Sequence, residues 1–187
     1  MSVRQSLCAI LTLGPCYGYQ LRAEYARRTG AARTLNVGQI YNTLERLERD
    51  GLVETGETDA QGHVYYAVTD AGQSETTRWF ATASPDLDLD ELAAKVALAA
   101  TLPGTDTGAV IAAERAATHT PPPLGDDGDP VGSERLAREL AHAAVATAVQ
   151  ARRDWLDAAE RMLRQHPAEA VPLAPSRPRR GRPTRVA

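Results

Sequence analysis

A mainly α-helical chain, opening with three short helices and a two-stranded wing and continuing into a second helical region, is the fold class this sequence predicts. Three observations predict it. Apolar residues recur at helical spacing through residues 3–11 and 36–50, with clear breaks between. The stretch "LVETGETDAQGHVYYAV" at 52–68 reads as two extended runs, rich in β-branched and aromatic residues, around a Gly-containing turn. Beyond Ser84 and Pro85 the chain turns Ala-rich and carries long apolar stripes. Three helices followed by a hairpin make a winged helix-turn-helix, in which the third helix is presented outward.

In the first helix Val3, Leu7, Ile10 and Leu11 share a face, and "GPCYG" at 14–18 breaks the chain before a second helix from about Tyr17 to Thr29, closed by Gly30. The third has the fullest punctuation. Asn36 can cap its N-terminus, Gln39 stands three residues on as in a capping box, Leu35 can staple to Ile40, and Asp50 and Gly51 end it. The hairpin follows, and another helix is expected from Thr69, carrying Trp79 and Phe80.

After residue 83 the spacing of Leu89, Leu92, Val96, Ala99 and Leu102 predicts a helix with one buried stripe, stopped by Pro103 and Gly104. The acidic run "DLDLDE" at 86–91 suits its N-terminus, where carboxylates meet the positive end of the helix dipole. A shorter helix runs through Val110 and Ile111, and "HTPPPLGDDGDPVG" at 119–132 is a loop. From Ser133 to about His166 the pattern is helical again, with Val145, Val149, Leu156, Ala159 and Leu163 at intervals of three, four or seven. At ~1.5 Å per residue that helix spans about 50 Å, more than a small domain needs, which predicts packing against another subunit. The Pro- and Arg-rich end has too few apolar residues to fold alone. The expected organisation is a winged helix unit at 1–83, a helical dimerisation region at 84–166, and a disordered basic tail at 167–187.

A composition 43% hydrophobic and 24% charged is that of an ordinary globular protein, and a net charge of -3 gives no global sign of a nucleic-acid partner. The distribution is more informative: residues 81–165 hold 14 acidic against 8 basic residues, whereas 166–187 hold five arginines against one glutamate. Cys8 and Cys16 make neither a disulfide framework nor a C-x-x-C pair, and "LCAILTL" is too short for a signal peptide or a membrane span. A reduced, cytoplasmic protein without membrane contact is expected.

At 100° per residue, residues 36–50 place Val37, Ile40, Leu44 and Leu47 along one side and Gln39, Asn42, Arg46 and Arg49 along the other. Gln and Asn can pair with an adenine edge, and Arg can grip guanine or a phosphate, so the outer set suits the major groove. A solvated surface is the alternative, since charged outer faces are the rule on globular helices.

"YGYQL" at 17–21, "NVGQIYNTLERLERDGLV" at 36–53 and "VYYAVTDAG" at 64–72, in that order and spacing, resemble the PadR-type transcriptional regulators. The resemblance covers roughly residues 3–80. It implies a homodimer placing two recognition helices in successive major grooves of a pseudo-palindromic operator, usually as a repressor. Double-stranded DNA is the implied partner. Position by position, Gln39, Tyr41, Asn42 and Arg46 become the DNA-facing set, with Asn36, Thr43 and Arg49 on the same helix and His63 on the wing beside them. Tyr41 can instead be a core aromatic. Leu92, Val96, Val149, Leu156 and Leu163 are the expected dimerisation residues, and Trp79 and Trp155 the expected lining of a pocket for a small aromatic ligand, with core packing as the alternative. The wing departs from the family pattern: Glu54, Glu57 and Asp59 stand where Lys or Arg usually rests on phosphate, which weakens backbone affinity.

The tail offers compensation. Arg180, Gly181, Arg182 and Pro183, within "RPRRGRPTR" at 177–185, resemble the core of an AT-hook, whose slim Arg-Gly-Arg segment enters a narrow A·T-rich minor groove. A basic tail with no partner is the plain alternative. The histidines at 63, 119, 142 and 166 show no ligand spacing, so neither a metal nor a cofactor is expected. No phosphate loop, G-x-S-x-G elbow or H-E-x-x-H helix points to an enzyme. The rival to a regulator is a winged interaction or ligand-sensing module without sequence-specific DNA contact.

Overall fold

The computed structural model describes residues 2–30, 35–85, 87–119 and 132–175. Helix α1 (Ser2–Leu11) and helix α2 (Gly18–Thr29) flank a two-residue strand, β1 (Cys16–Tyr17). Helix α3 (Val37–Arg49) leads into β2 (Val53–Thr58) and β3 (Val64–Val68), then α4 (Asp70–Ala81). Helices α5 (Leu89–Thr101), α6 (Thr107–Ala116) and α7 (Ser133–Gln165) complete the order. The first part is a winged helix-turn-helix and the second is helical, as the spacing predicts. The wing differs in one respect: its sheet has three strands in the order β1-β3-β2, because Cys16 and Tyr17 of the "GPCYG" break pair antiparallel with Tyr66 and Tyr65. Two residues are too short a run for alternation to reveal.

The hairpin and α4 are joined by close backbone packing. Thr69 caps α4 through its hydroxyl, which accepts from the Gly72 N–H and donates to the Gly51 carbonyl at 2.7 Å. A Cβ at Gly72 would lie 2.1 Å from the Leu52 carbonyl oxygen, so only glycine lets the first turn of α4 sit on the hairpin strand.

One hydrophobic core runs through both parts of the chain. Leu7, Ile10 and Leu11 of α1, Leu21 of α2, and Ile40, Leu44 and Leu47 of α3 belong to the same cluster as Leu92, Val96 and Leu98 of α5, Ile111 of α6 and Leu156 of α7. Leu89, expected in the α5 stripe, is exposed, since it sits in the first turn just after the Asp88 cap. Because α5 packs directly on α1 and α2, the core crosses the boundary that composition places at residue 83.

Behind α5, three buried ions fix the C-terminal helices. Lys95 and Glu114, both 0% exposed, pair at 2.7 Å, and Arg152 reaches Glu114 from α7. Lys95 also donates to the Thr82 carbonyl at 2.7 Å, Arg152 donates to the carbonyls of Ser84 and Leu87, and the Ser84 N–H donates to Glu114. Every charge is thus met by an opposite charge or a backbone partner, the condition under which buried ions are tolerated. Only the C-terminal half of the 33-residue α7 is held this way; residues 132–141 are all exposed.

After α7 the chain turns back across the molecule. Residues 171–174, within the expected disordered tail, lie against α2. The Val171 N–H donates to the Thr101 carbonyl at 3.0 Å, Arg28 donates to the carbonyls of Val171 and Pro172, Arg27 donates to that of Pro172, and the Ala174 N–H donates to Glu24 Oε1 at 3.0 Å. Leu173 packs against the core beside Gly14. Composition misses this strap because α2 supplies the polar partners and the core supplies the apolar one.

Candidate nucleic-acid interface

Rotation of α3 is set by its buried side and its cap. Ile40, Leu44 and Leu47 are fully buried, which turns Gln39, Asn42, Arg46 and Arg49 outward. The capping box is complete: Asn36 Oδ1 accepts from the Gln39 N–H at 2.8 Å, and Gln39 Oε1 accepts from the Asn36 N–H at 3.1 Å. That places the helix start firmly and also commits both side chains, so Asn36 and the Gln39 carbonyl oxygen serve the cap before any base.

The remaining members of the set divide by partner. Thr43 is half-buried and donates to the Gln39 carbonyl at 2.7 Å. Arg49 pairs with Asp50 at 3.2 Å, and Asp50 also takes Arg4 at 2.8 Å. Asn42 and Arg46 are exposed, lie one turn apart on α3, and make no side-chain hydrogen bond or ion pair with described residues. They are the outward groups free to meet a base edge or phosphate.

Tyr41 is half-buried, and its place explains a glycine. A Cβ on Gly18 would lie 2.7 Å from Tyr41 Cζ and 2.9 Å from its hydroxyl, so the ring lies on the bare backbone at the start of α2. The contact locks the two helices of the helix-turn-helix at a fixed separation. It makes Tyr41 a spacer between helices, close to the core-aromatic alternative.

On the wing, Glu54 and Glu57 are exposed and acidic, as the sequence indicates. His63 is held by Asp59 at 2.9 Å and stacks on Tyr17 with ring centroids 4.4 Å apart, so it braces the wing against β1. Glu48 of α3 accepts from the Thr55 N–H and hydroxyl, tying the outward helix to β2. Sequence periodicity marks Glu48 only as an exposed residue and does not show this brace.

The expected dimerisation set is divided by burial. Leu92, Val96 and Leu156 are buried within this chain and present nothing to a partner, while Val149 and Leu163 are half-buried. The stripe is shared with α5 and α6, which fill the space a second subunit was expected to fill. The exposed apolar residues of α7 are Leu136 (56%), Leu140 (62%), Val145 and Met162. Trp79 is buried against Phe80 with Lys95 5.5 Å from its ring, and Trp155 packs at the edge of the core. A cavity of about 560 Å³ lies elsewhere, between α4 and the α5–α6 turn, lined by Thr76, Thr77, Phe80, Leu102, Asp106 and Val110 among others. Neither tryptophan lines it. Among the described residues, no group of three or more His, Cys, Asp or Glu side chains could hold a metal ion, and no helix is long and apolar enough to cross a membrane. Arg180, Gly181, Arg182 and Pro183 lie outside the described residues.

No curated protein matches the sequence. Among solved structures, the chain is similar to a transcriptional regulator from Clostridium thermocellum, Cth-833, at 21% identity and a TM-score of 0.39, over 41% of this chain and 75% of that one. It is also similar to Bacillus subtilis PadR in complex with operator DNA, at 16% identity and a TM-score of 0.40, over 87% of this chain and 97% of that one. A second Bacillus subtilis PadR structure, with p-coumaric acid, aligns at 16% identity and a TM-score of 0.39, over 85% and 96%. The family these residues match is one of transcriptional regulators and not of enzymes: residues 7–78, from α1 to α4, match the transcriptional regulator PadR-like family.

Proposed function

We propose that this chain is a DNA-binding transcriptional regulator that acts in the cytoplasm as a homodimer on a pseudo-palindromic operator, usually repressing. One observation carries the reading. On a helix whose rotation is fixed by three buried residues and a complete capping box, Asn42 and Arg46 project outward without partners among the described residues, within the segment that matches a regulator family. Asn42 suits an adenine edge, and Arg46 suits guanine or a phosphate.

The homodimer is supported by α7, whose first half carries Leu136 and Leu140 one turn apart and exposed among the described residues. A second copy is the occupant of choice, because two such helices bury each other's apolar strip and set the spacing of two reading heads. Release by a small aromatic ligand fits the cavity beside α4 better than the two tryptophans. That cavity touches α4 and the α5–α6 turn together, so an occupant that prefers one relative placement can change operator affinity. The Arg180–Pro183 segment adds a minor-groove contact to the same DNA.

A second reading, a winged interaction module without sequence-specific DNA contact, is favoured by the acidic wing. A mobility-shift titration separates the two. Tighter binding to the chain's own promoter than to random DNA, with loss of that preference in Arg46→Ala, supports the regulator; equal weak binding of both DNAs by both proteins supports the module.

A further inference from the structure

Charge and hydrogen-bond polarity decide which ligand the cavity beside α4 can take. Its apolar lining includes Phe80 of α4, Leu102 at the end of α5 and Val110 of α6, all buried, which suits a ring. The hydroxyls that line it are committed as donors. Thr12, Thr76 and Thr77 give their protons to the carbonyls of Ala9, Gly72 and Gln73 at 2.7, 2.9 and 3.0 Å, so each oxygen offers a ligand only lone pairs. Asp106 adds a carboxylate, one oxygen of which accepts from the Ala109 N–H at 3.0 Å as the cap of α6. The lining holds no Lys, Arg or His.

The basic side chains of the surrounding helices are already paired. Arg4 of α1 is held by Asp50, Arg78 of α4 by Glu75, Lys95 of α5 by Glu114, and Arg115 of α6 by Asp157 and Glu160. No cation pairs with Asp106 among the described residues. The positive end of the α6 dipole is worth only about half a charge, so the full charge of the Asp106 cap sets the local sign. Residues 81–165, with 14 acidic against 8 basic residues, add to it from further away.

We propose that this cavity takes a small aromatic amine in its ammonium form, with the ring against Phe80, Leu102 and Val110 and the ammonium beside Asp106 and the threonine oxygens. An alkylammonium is protonated at neutral pH, with a pKa of about 10, and it is a donor without acceptor capacity, the complement of this lining. An aromatic carboxylate meets the opposite conditions: a like charge at Asp106 and oxygens that cannot donate to it. The volume of about 560 Å³ leaves room for a bicyclic ring with a short side chain. This inference deepens the ligand-release reading above by naming the class of ligand, and it rests on that reading for any effect on DNA.

The test uses three probes that share an indole ring and differ in charge: tryptamine, tryptophol and indole-3-propionate. Calorimetric titration into the full-length protein without DNA is expected to show tryptamine binding about fivefold or more tightly than tryptophol, and indole-3-propionate weakest, with the differences shrinking at high salt. Asp106→Asn removes the charge but keeps an N-cap acceptor, so it is expected to retain its helix content and to bring the three affinities within about twofold. Ala109→Trp, at an exposed position of the lining, is expected to fill the cavity and abolish tryptamine binding. Indole-3-propionate binding as tightly as tryptamine, or an unchanged order in Asp106→Asn, overturns the ligand class. Tryptamine binding that survives Ala109→Trp overturns the site, and no tryptamine binding at millimolar concentration overturns both. The effect on DNA is scored separately, on a fragment selected from random DNA. Weaker binding of that fragment with tryptamine present supports release; unchanged binding, with the expected order of probes, upholds the site and overturns release alone. Selection of no sequence by the protein overturns the regulator reading and leaves the amine site standing on its own titrations.

Discussion

At the scale of single residues, burial and pairing decide which side chains can act. Burial, reinforced by the nearby Glu24 carboxylate, pushes the Cys16 thiol up to about 12, and burial also raises that of Cys8 despite a hydrogen bond with Thr76. Thiolate, not thiol, is the reactive form, so burial and the raised values keep both thiols in the less reactive form in the folded chain. A thiol reagent at neutral pH is expected to label neither residue until denaturant unfolds the protein; prompt labelling of either without denaturant contradicts this. Glu24 behaves oppositely. Its burial opposes ionisation, but the Arg27 hydrogen bond, the Ala174 N–H and the charges of Arg27 and Arg28 outweigh it and hold the carboxyl below its ordinary value of 4.5. A depressed folded value means the strap's stabilisation is complete above 4.5 and is lost as pH falls through the folded value. The Ala174 amide resonance is therefore expected to titrate with a midpoint below 4.5, and a midpoint above it refutes the Glu24–Ala174 hydrogen bond.

At the scale of elements, α3 was almost wholly legible in the sequence. Asn36, Gln39, Asp50 and the Ile40–Leu44–Leu47 stripe give its start, end and rotation, because caps and periodicity are local properties of the chain. What each outward group does was less legible. The engagement of Gln39 follows from the same capping box, but the pairing of Arg49 with an Asp50 that also takes Arg4, and the seating of Tyr41 on Gly18, depend on contacts between elements. Strand β1 and the strap were hidden for the same reason: each is a short run with no periodicity, stabilised by distant partners. So was the Lys95–Glu114–Arg152 cluster, whose members lie on three helices. Breaking one partner of such a cluster strands the others. Glu114→Gln leaves Lys95 and Arg152 buried without a counter-charge and is expected to cost about 3–5 kcal/mol in denaturant unfolding. A loss under about 1 kcal/mol shows instead that the cluster relaxes to solvent.

At the scale of the whole molecule, one core joins the winged unit to α5, α6 and the end of α7. The long α7 is legible in the sequence, but Leu92, Val96 and Leu156, expected to meet a partner subunit, are consumed by the chain's own fold. Period alone cannot tell a stripe that faces a neighbouring helix from one that faces a neighbouring subunit. Leu136 and Leu140 are the exposed apolar pair on α7 that a second copy would cover. The double variant Leu136→Asp, Leu140→Asp is expected to be folded and monomeric by sedimentation and to bind operator DNA at least about tenfold more weakly, since half the contacts are lost. A variant that remains dimeric moves the interface elsewhere on the chain. On the reading proposed above, α3 recognises DNA through Asn42 and Arg46. Its most direct test is the affinity of unaltered and Arg46→Ala protein for a fragment chosen by selection from random DNA, each compared with scrambled DNA at moderate salt. A drop of about tenfold or more on the selected fragment, with little change on scrambled DNA, is the expected result for a side chain worth about 1–3 kcal/mol of discrimination. Equal affinities for both DNAs before and after the substitution would contradict it.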